Sequence, residues 1–292
     1  MRKAYIFVVL TAFLFGTMEV ALKTIGNHLD PLQLTFLRFA IGGLLLLPPA
    51  VIELKKNEIK LKARDFLELG GIGILGIPLS MLFFQLGVMS SNAATASVLI
   101  SVSPFFTMVF AHIFTDEKLN KNKIMVLAIG LLGIVFMIRP WNLQDGNTVI
   151  GTVYMILAAL FFGLYTVAGK VSVQKIGIMA QTSISFFLGS LVLLVIMLIM
   201  GRPIIAGVAD NLALVLYVGI FVTGVGYFSY FMAIKLSDAS TGSLAFFIKP
   251  AIAPVMAVVI LGETILWNTY IGIGLILLAS YMNIRYQREK NE

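Results

Sequence analysis

Apolar residues along this chain come in long runs, each divided from the next by a few polar positions. The runs lie at 4–25, 32–52, 66–87, 93–114, 122–138, 149–169, 180–200, 211–234, 240–261 and 267–285. Each is close to the ~20 residues an α-helix needs to cross a hydrocarbon core. Helix breakers stand between runs, as at Asp30-Pro31, Arg139-Pro140 and Gly201-Arg202-Pro203. The pattern predicts an all-α integral membrane protein of ten transmembrane helices, with no soluble domain inserted.

The pattern also repeats. Residues 91–104 align without a gap on residues 237–250, an offset of 146. The pairs Ala93/Ala239, Thr95/Thr241, Ser97/Ser243 and Pro104/Pro250 fall in register, followed by Glu117/Glu263 and Asn122/Asn268. The first run agrees at an offset of 147, with Gly16 on Gly163 and Lys23 on Lys170. The chain therefore divides into halves, 1–145 and 146–292, of five helices each. An odd number of crossings makes the second half enter the membrane from the opposite side. The expected architecture is two inverted five-helix repeats around a central cavity, a build typical of secondary transporters.

Composition agrees: 59% of the 292 residues are hydrophobic and 12% charged, against roughly 25% charged in soluble domains. The net charge of +7 does not point to nucleic acid, because the basic residues sit between apolar runs rather than on a basic helix. With the N-terminus inside, sixteen of the 21 basic residues fall in cytoplasmic segments. Lys23, Arg139 and Arg202 fall outside, while Arg38 and Lys249 lie within runs. That bias places both termini in the cytoplasm of a cell, most simply bacterial, whose plasma membrane holds the protein. The first run is too long for a signal peptide and is expected to stay as a helix. Without cysteine, thiolate and disulfide chemistry is excluded. His28 and His112 form no metal-binding spacing, so no metal or cofactor is expected.

Charges inside the runs are the candidate chemistry, since an ionised side chain at that depth must be paired, hydrated or neutralised. Glu19 is either a proton- or cation-binding carboxylate or half of a structural ion pair with Arg38, Lys23 or Lys249. Arg38 reads as structural. Lys249, about ten residues into its run, lies ~15 Å deep, suited to a substrate's carboxylate or phosphate. Its counterpart in the first half is Ser103. Pro250 and Pro254 should kink the ninth helix and free carbonyls, as Pro104 should in the fourth. Glu117 and Glu263 end helices, where a carboxylate needs partners, and read as structural. The helix openings at Ser91-Asn92 and Ser237-Asp238 read as ordinary caps.

The chain resembles the EamA family of the drug/metabolite transporter superfamily over both halves. The resemblance rests on Phe15-Gly16, Lys23, Pro31, Arg38, Pro104, Glu117-Lys118-Leu119 and Gly130 or Gly133, and on Pro250, Pro254 and Gly262-Glu263 in the second half. Phe15 stands where the family commonly has Trp, and Glu19 where an uncharged residue is usual. The resemblance implies a cavity lined mainly by helices 1, 3, 4, 6, 8 and 9. It adds Gln85, Tyr165, Thr166, Tyr227, Ser229 and Tyr230 as candidate lining groups. It implies transport of small metabolites, with export of amino acids or related compounds the commoner direction. The expected partners are thus a small-molecule substrate and the lipid bilayer, with the chain acting as a monomer. No ATP-binding motif is present, so a gradient of ions or of substrate must drive transport, with Glu19 the carrier of a coupling proton or of a substrate ammonium. The alternatives are an uncoupled facilitator, a quaternary-amine transporter and, remotely, a lipid-phosphate enzyme, which would need clustered acids or histidines at one face.

Overall fold

A computed structural model describes residues 2–26, 28–138, 148–262 and 267–289, and among them all regular structure is helical. Seven helices are long and apolar enough to cross a membrane. They are α1 (Lys3–Gly26), α2 (Pro31–Lys56), α3 (Ala63–Met89), α4 (Thr95–Phe114), α6 (Val149–Ile176), α7 (Ile178–Ile199) and α8 (Ala209–Leu236). Three further helices are α5 (Lys121–Ile138), α9 (Ala245–Leu261) and α10 (Trp267–Glu289). Glu263 lies outside the described residues, as does the expected boundary between the halves at 145/146.

Local sequence explains where these helices start and turn. Asp30 caps α2, accepting from the amides of Leu32 (2.9 Å) and Gln33 (3.4 Å), with Pro31 in the first turn, where its missing N–H costs nothing. The corner between α6 and α7 is turned by Gly177 at φ +93°, against the Glu53 carboxylate. A Cβ there would lie 2.3 Å from the Glu53 carboxyl carbon, so both backbone and space require glycine. Glu53, at the end of α2, accepts from the amides of Ile178, Met179 and Ala180 at 3.3, 2.8 and 3.2 Å, closing the open N-terminus of α7.

Several helices are interrupted mid-course. α1 breaks at Thr17 and α4 at residues 101–102. α3 and α8 each carry a π-helical stretch, Leu75–Met81 and Tyr217–Val225, a device frequent at functional sites. The proline expectations need one correction. α9 is helical through positions 250 and 254, and the interruption lies upstream at 243–244. Pro250 is the sixth residue of the helix that starts at Ala245, past the first turn, so the carbonyl four residues before it still loses its amide partner although the helix runs on. Pro104 instead falls at the start of the second piece of α4.

Packing between helices α1–α5 and helices α6–α10 is reciprocal. α3 packs on α6 and α1 on α8; α4 on α6 and α1 on α9; α3 on α7 and α2 on α8; α2 lies along α7, α4 meets α9, and α5 pairs with α10. Glycines set the closest approaches. A Cβ on Gly163 of α6 would meet Phe106 of α4 at 2.8 Å, and one on Gly16 of α1 would meet Ile252 of α9 at 2.9 Å. Large apolar side chains such as Ile6, Leu67, Ile199 and Val259 are exposed on the outside, as lipid-facing residues must be.

Candidate functional site

At the centre of the bundle lie three ionisable side chains with no solvent exposure: Glu19, Arg38 and Lys249. Glu19 follows the break in α1, and Lys249 lies one turn into α9. The two form an ion pair. Neither group has another polar partner among the described residues. The Lys249 ammonium also sits over the Phe84 and Phe246 rings, 5.2 and 5.6 Å from their centroids.

Of the partners open to Glu19 from the sequence, the structure selects Lys249. Lys23 instead donates to the carbonyls of Val88 (3.2 Å) and Ser91 (2.8 Å), at the end of α3. Arg38 forms no ion pair among the described residues. Its Nη1 points at Met18 Sδ (3.3 Å), and its guanidinium lies 4.7 Å from the Phe39 ring centre. It is fully buried, so it does not snorkel to the interface.

An aromatic cluster encloses this centre. Tyr227 is its hub, with ring centres 5.0 Å from Phe15 and Phe186, 5.6 Å from Phe39 and 6.1 Å from Tyr165. Phe162 packs 4.8 Å from Phe246 and 5.6 Å from Tyr230. The Tyr230 hydroxyl is bonded to Thr166 Oγ1 (2.9 Å), which donates to the Phe162 carbonyl (2.8 Å). Ser103 and Gln85 are fully buried, and the Ser103 hydroxyl and both Gln85 amide atoms have no partner among the described residues. Ser229 is buried likewise. The contributions of Phe39 and Phe186, and the bond between Thr17 and the Tyr217 hydroxyl (2.6 Å), are not visible in the sequence, because nothing there distinguishes inward from lipid-facing aromatics.

Glu117 organises a second polar cluster beyond the end of α4. Its carboxylate takes Lys170 of α6 (2.7 Å), Lys123 of α5 (3.5 Å), the Ser240 hydroxyl (2.7 Å) and the Ala239 amide (3.0 Å). Burial works to raise this carboxyl. The bonds from Lys170 and Ser240, with the charges of Lys170 and Lys123, outweigh it and hold the group below its ordinary range. The cluster borders a cavity of about 490 Å³ with Asp116, Lys118, Gln174 and Asp238 on its wall.

A bundle of apolar helices that holds buried charges and unpartnered polar groups at its centre, with no metal-ligating cluster among the described residues, is built as a membrane transporter. The EamA-like transporter family model matches residues 2–139 and 149–285, and the chain belongs to that family. An uncharacterized transporter of Clostridium kluyveri is 37% identical over 100% of this chain and 96% of its own. One from Archaeoglobus fulgidus is 28% identical over 97% of this chain and 99% of its own. One from Bacillus subtilis is 27% identical over 97% of each chain. A solved crystal structure shares the fold, with a TM-score of 0.77 at 17% identity and full coverage of both chains.

Proposed function

We propose that the chain is a proton-coupled secondary transporter that exports amino acids or related small metabolites across the cell membrane by alternating access. In this reading ten helices form two inverted repeats, 1–145 and 146–292, with both termini in the cytoplasm. The reciprocal packing supports it: the partners of α3 and α4 in the second half mirror those of α8 and α9 in the first. So do Gly16 and Gly163, which occupy matching places against Ile252 and Phe106. Gates at opposite ends are then made by α3 and α4 in one half and α8 and α9 in the other.

The observation that carries the coupling is the sealed Glu19–Lys249 pair, which ties α1 to α9. Removing the charge of one partner of a buried pair leaves the other uncompensated, at a cost of about 3–5 kcal/mol. A proton on Glu19 would do this reversibly, releasing Lys249 and letting the helices part. Substrate would then reach Ser103, Gln85, Tyr165, Tyr227 and Tyr230. The net positive charge of the centre favours an amino acid or organic anion over a quaternary amine.

The test is flux in proteoliposomes with imposed pH gradients and a panel of labelled amino acids. Wild-type protein accumulates substrate uphill when the gradient is applied. Glu19→Gln still exchanges substrate but no longer responds to the gradient. Flux in wild-type vesicles that ignores the gradient would remove the coupling and leave a facilitator.

A further inference from the structure

The charges at the centre do not balance. Glu19 is matched by Lys249, and Arg38 is left as a fully buried cation with no carboxylate in contact among the described residues. A lysine could shed its proton under such burial, but a guanidinium cannot. An unpaired ion in a dry interior is among the costliest arrangements a protein can hold. The Phe39 face and the Met18 sulfur offset only part of that cost.

The orphaned atoms are informative in themselves. Nη1 faces Met18, while Nε and Nη2 have no partner. Those two nitrogens form one edge of the guanidinium, with parallel N–H bonds spaced to fit the two oxygens of a carboxylate. The surrounding walls are rings: Phe39 beneath the guanidinium, Phe186 4.7 Å from Phe39, and Tyr227 against both. They provide apolar faces and no further cation. Lys249 is less suited to the role, because it is a point charge already neutralised by Glu19.

We propose that Arg38, rather than Lys249, holds the anionic group of the substrate, and that this group is a singly charged carboxylate on an aromatic or large apolar body. One negative charge neutralises the centre. A phosphate monoester carries ~1.5–2 negative charges at neutral pH, too many for a centre whose fully buried described charges are two cations and one anion. This assignment rests on reading the centre as a substrate cavity. α2 then contributes to substrate binding alongside the helices the family resemblance implies.

Binding in detergent tests the proposal without any need for flux. The probes share an aromatic body and differ in head group: 3-phenylpropionate carries a lone carboxylate, 3-phenylpropionamide and 2-phenylethylamine lack one, and phenyl phosphate carries the higher charge. Wild-type protein should be stabilised against thermal unfolding by 3-phenylpropionate and not by the other three. Isothermal titration should show Arg38→Gln weakening the carboxylate at least ~30-fold, as expected when a buried charged bond loses its partner. Arg38→Lys, which keeps the charge but loses the fork, should weaken it by roughly tenfold, and it serves as the test should Arg38→Gln fail to fold. No carboxylate preference in the wild type, or an Arg38→Gln affinity within threefold of it, would each overturn the assignment. Absent flux with binding intact would instead overturn the transport reading and leave Arg38 in place.

Discussion

Glu117→Gln is expected to loosen one end of the bundle, and pH should reveal the cause. The carboxylate joins α4, α6 and the turn that leads into α9 through three short bonds, to Lys170, Ser240 and the Ala239 amide at 2.7, 2.7 and 3.0 Å. Bonds to a charged group are worth about 1.5–3 kcal/mol, against about 0.5–1.5 for neutral ones. Glutamine keeps the shape and one acceptor oxygen, so the difference is roughly 1 kcal/mol per bond. The adjoining cavity admits water and screens part of this, leaving a loss of about 2–3 kcal/mol. The pH dependence has a definite sign. Because the folded protein holds this carboxyl below its ordinary range, its contribution is complete above that range and is lost as pH falls through the folded value. Thermal unfolding in detergent should therefore show the variant clearly less stable than wild type at pH 7.5. The gap should close only on acidification through the folded protein's lower value, where wild-type Glu117 is itself protonated. A gap that stays constant with pH, or none at pH 7.5, would refute the charge argument.

Helix contacts and topology can be tested as directly. Gly73→Ala would put a Cβ 2.3 Å from the Ser185 carbonyl of α7, with backbone on both sides. It should cost about 1–3 kcal/mol of stability, while Gly71→Ala, with nothing within 4 Å, should be neutral by the same thermal assay. The absence of native cysteine allows single-cysteine labelling in intact cells. An impermeant maleimide should modify Arg202→Cys and spare Glu58→Cys until the cells are opened, and the reverse pattern would invert the proposed topology.

Helical class and the presence of long apolar spans were legible because a period of apolar runs records lipid directly. So was the need for Glu19 and Lys249 to be buried with a partner, since an ionised group in such a run is costly unless it is paired. Their mutual contact was not, because depth along a helix fixes one coordinate and leaves its rotation free. Arg38 shows the same limit. Its depth suggested a side chain near the interface, whereas the α2 face that bears it turns inward, against α8 and onto Met18 of α1. Glu53 carried no sequence signal at all: a carboxylate in the last turn of a helix looks solvated until the α6–α7 corner is found folded over it. The interruption near Pro250 was placed too late because proline marks where a helix is weak, and here the helix runs on through it.

The three central charges also bear on why the halves differ chemically while packing alike. On the proposed repeat, Glu19 corresponds to Thr166 and Arg38 to Ser185 at an offset of 147, and Lys249 corresponds to Ser103 at 146. Each ionised group thus faces a small hydroxyl in the other half, and every one of the six is buried. A symmetric set of charges would place two carboxylates and four cations in one dry volume, where like charges cost several kcal/mol each. It would also offer an asymmetric ligand two equivalent poses. On the proposed mechanism, reciprocal helix contacts would let the two ends exchange open and closed states through equivalent motions. Charging each of the three positions in only one of its two copies would give the ligand a single orientation throughout the cycle. Restoring symmetry by Ser185→Arg should therefore harm the folded protein more than removing Arg38, which thermal unfolding of the two variants side by side would decide.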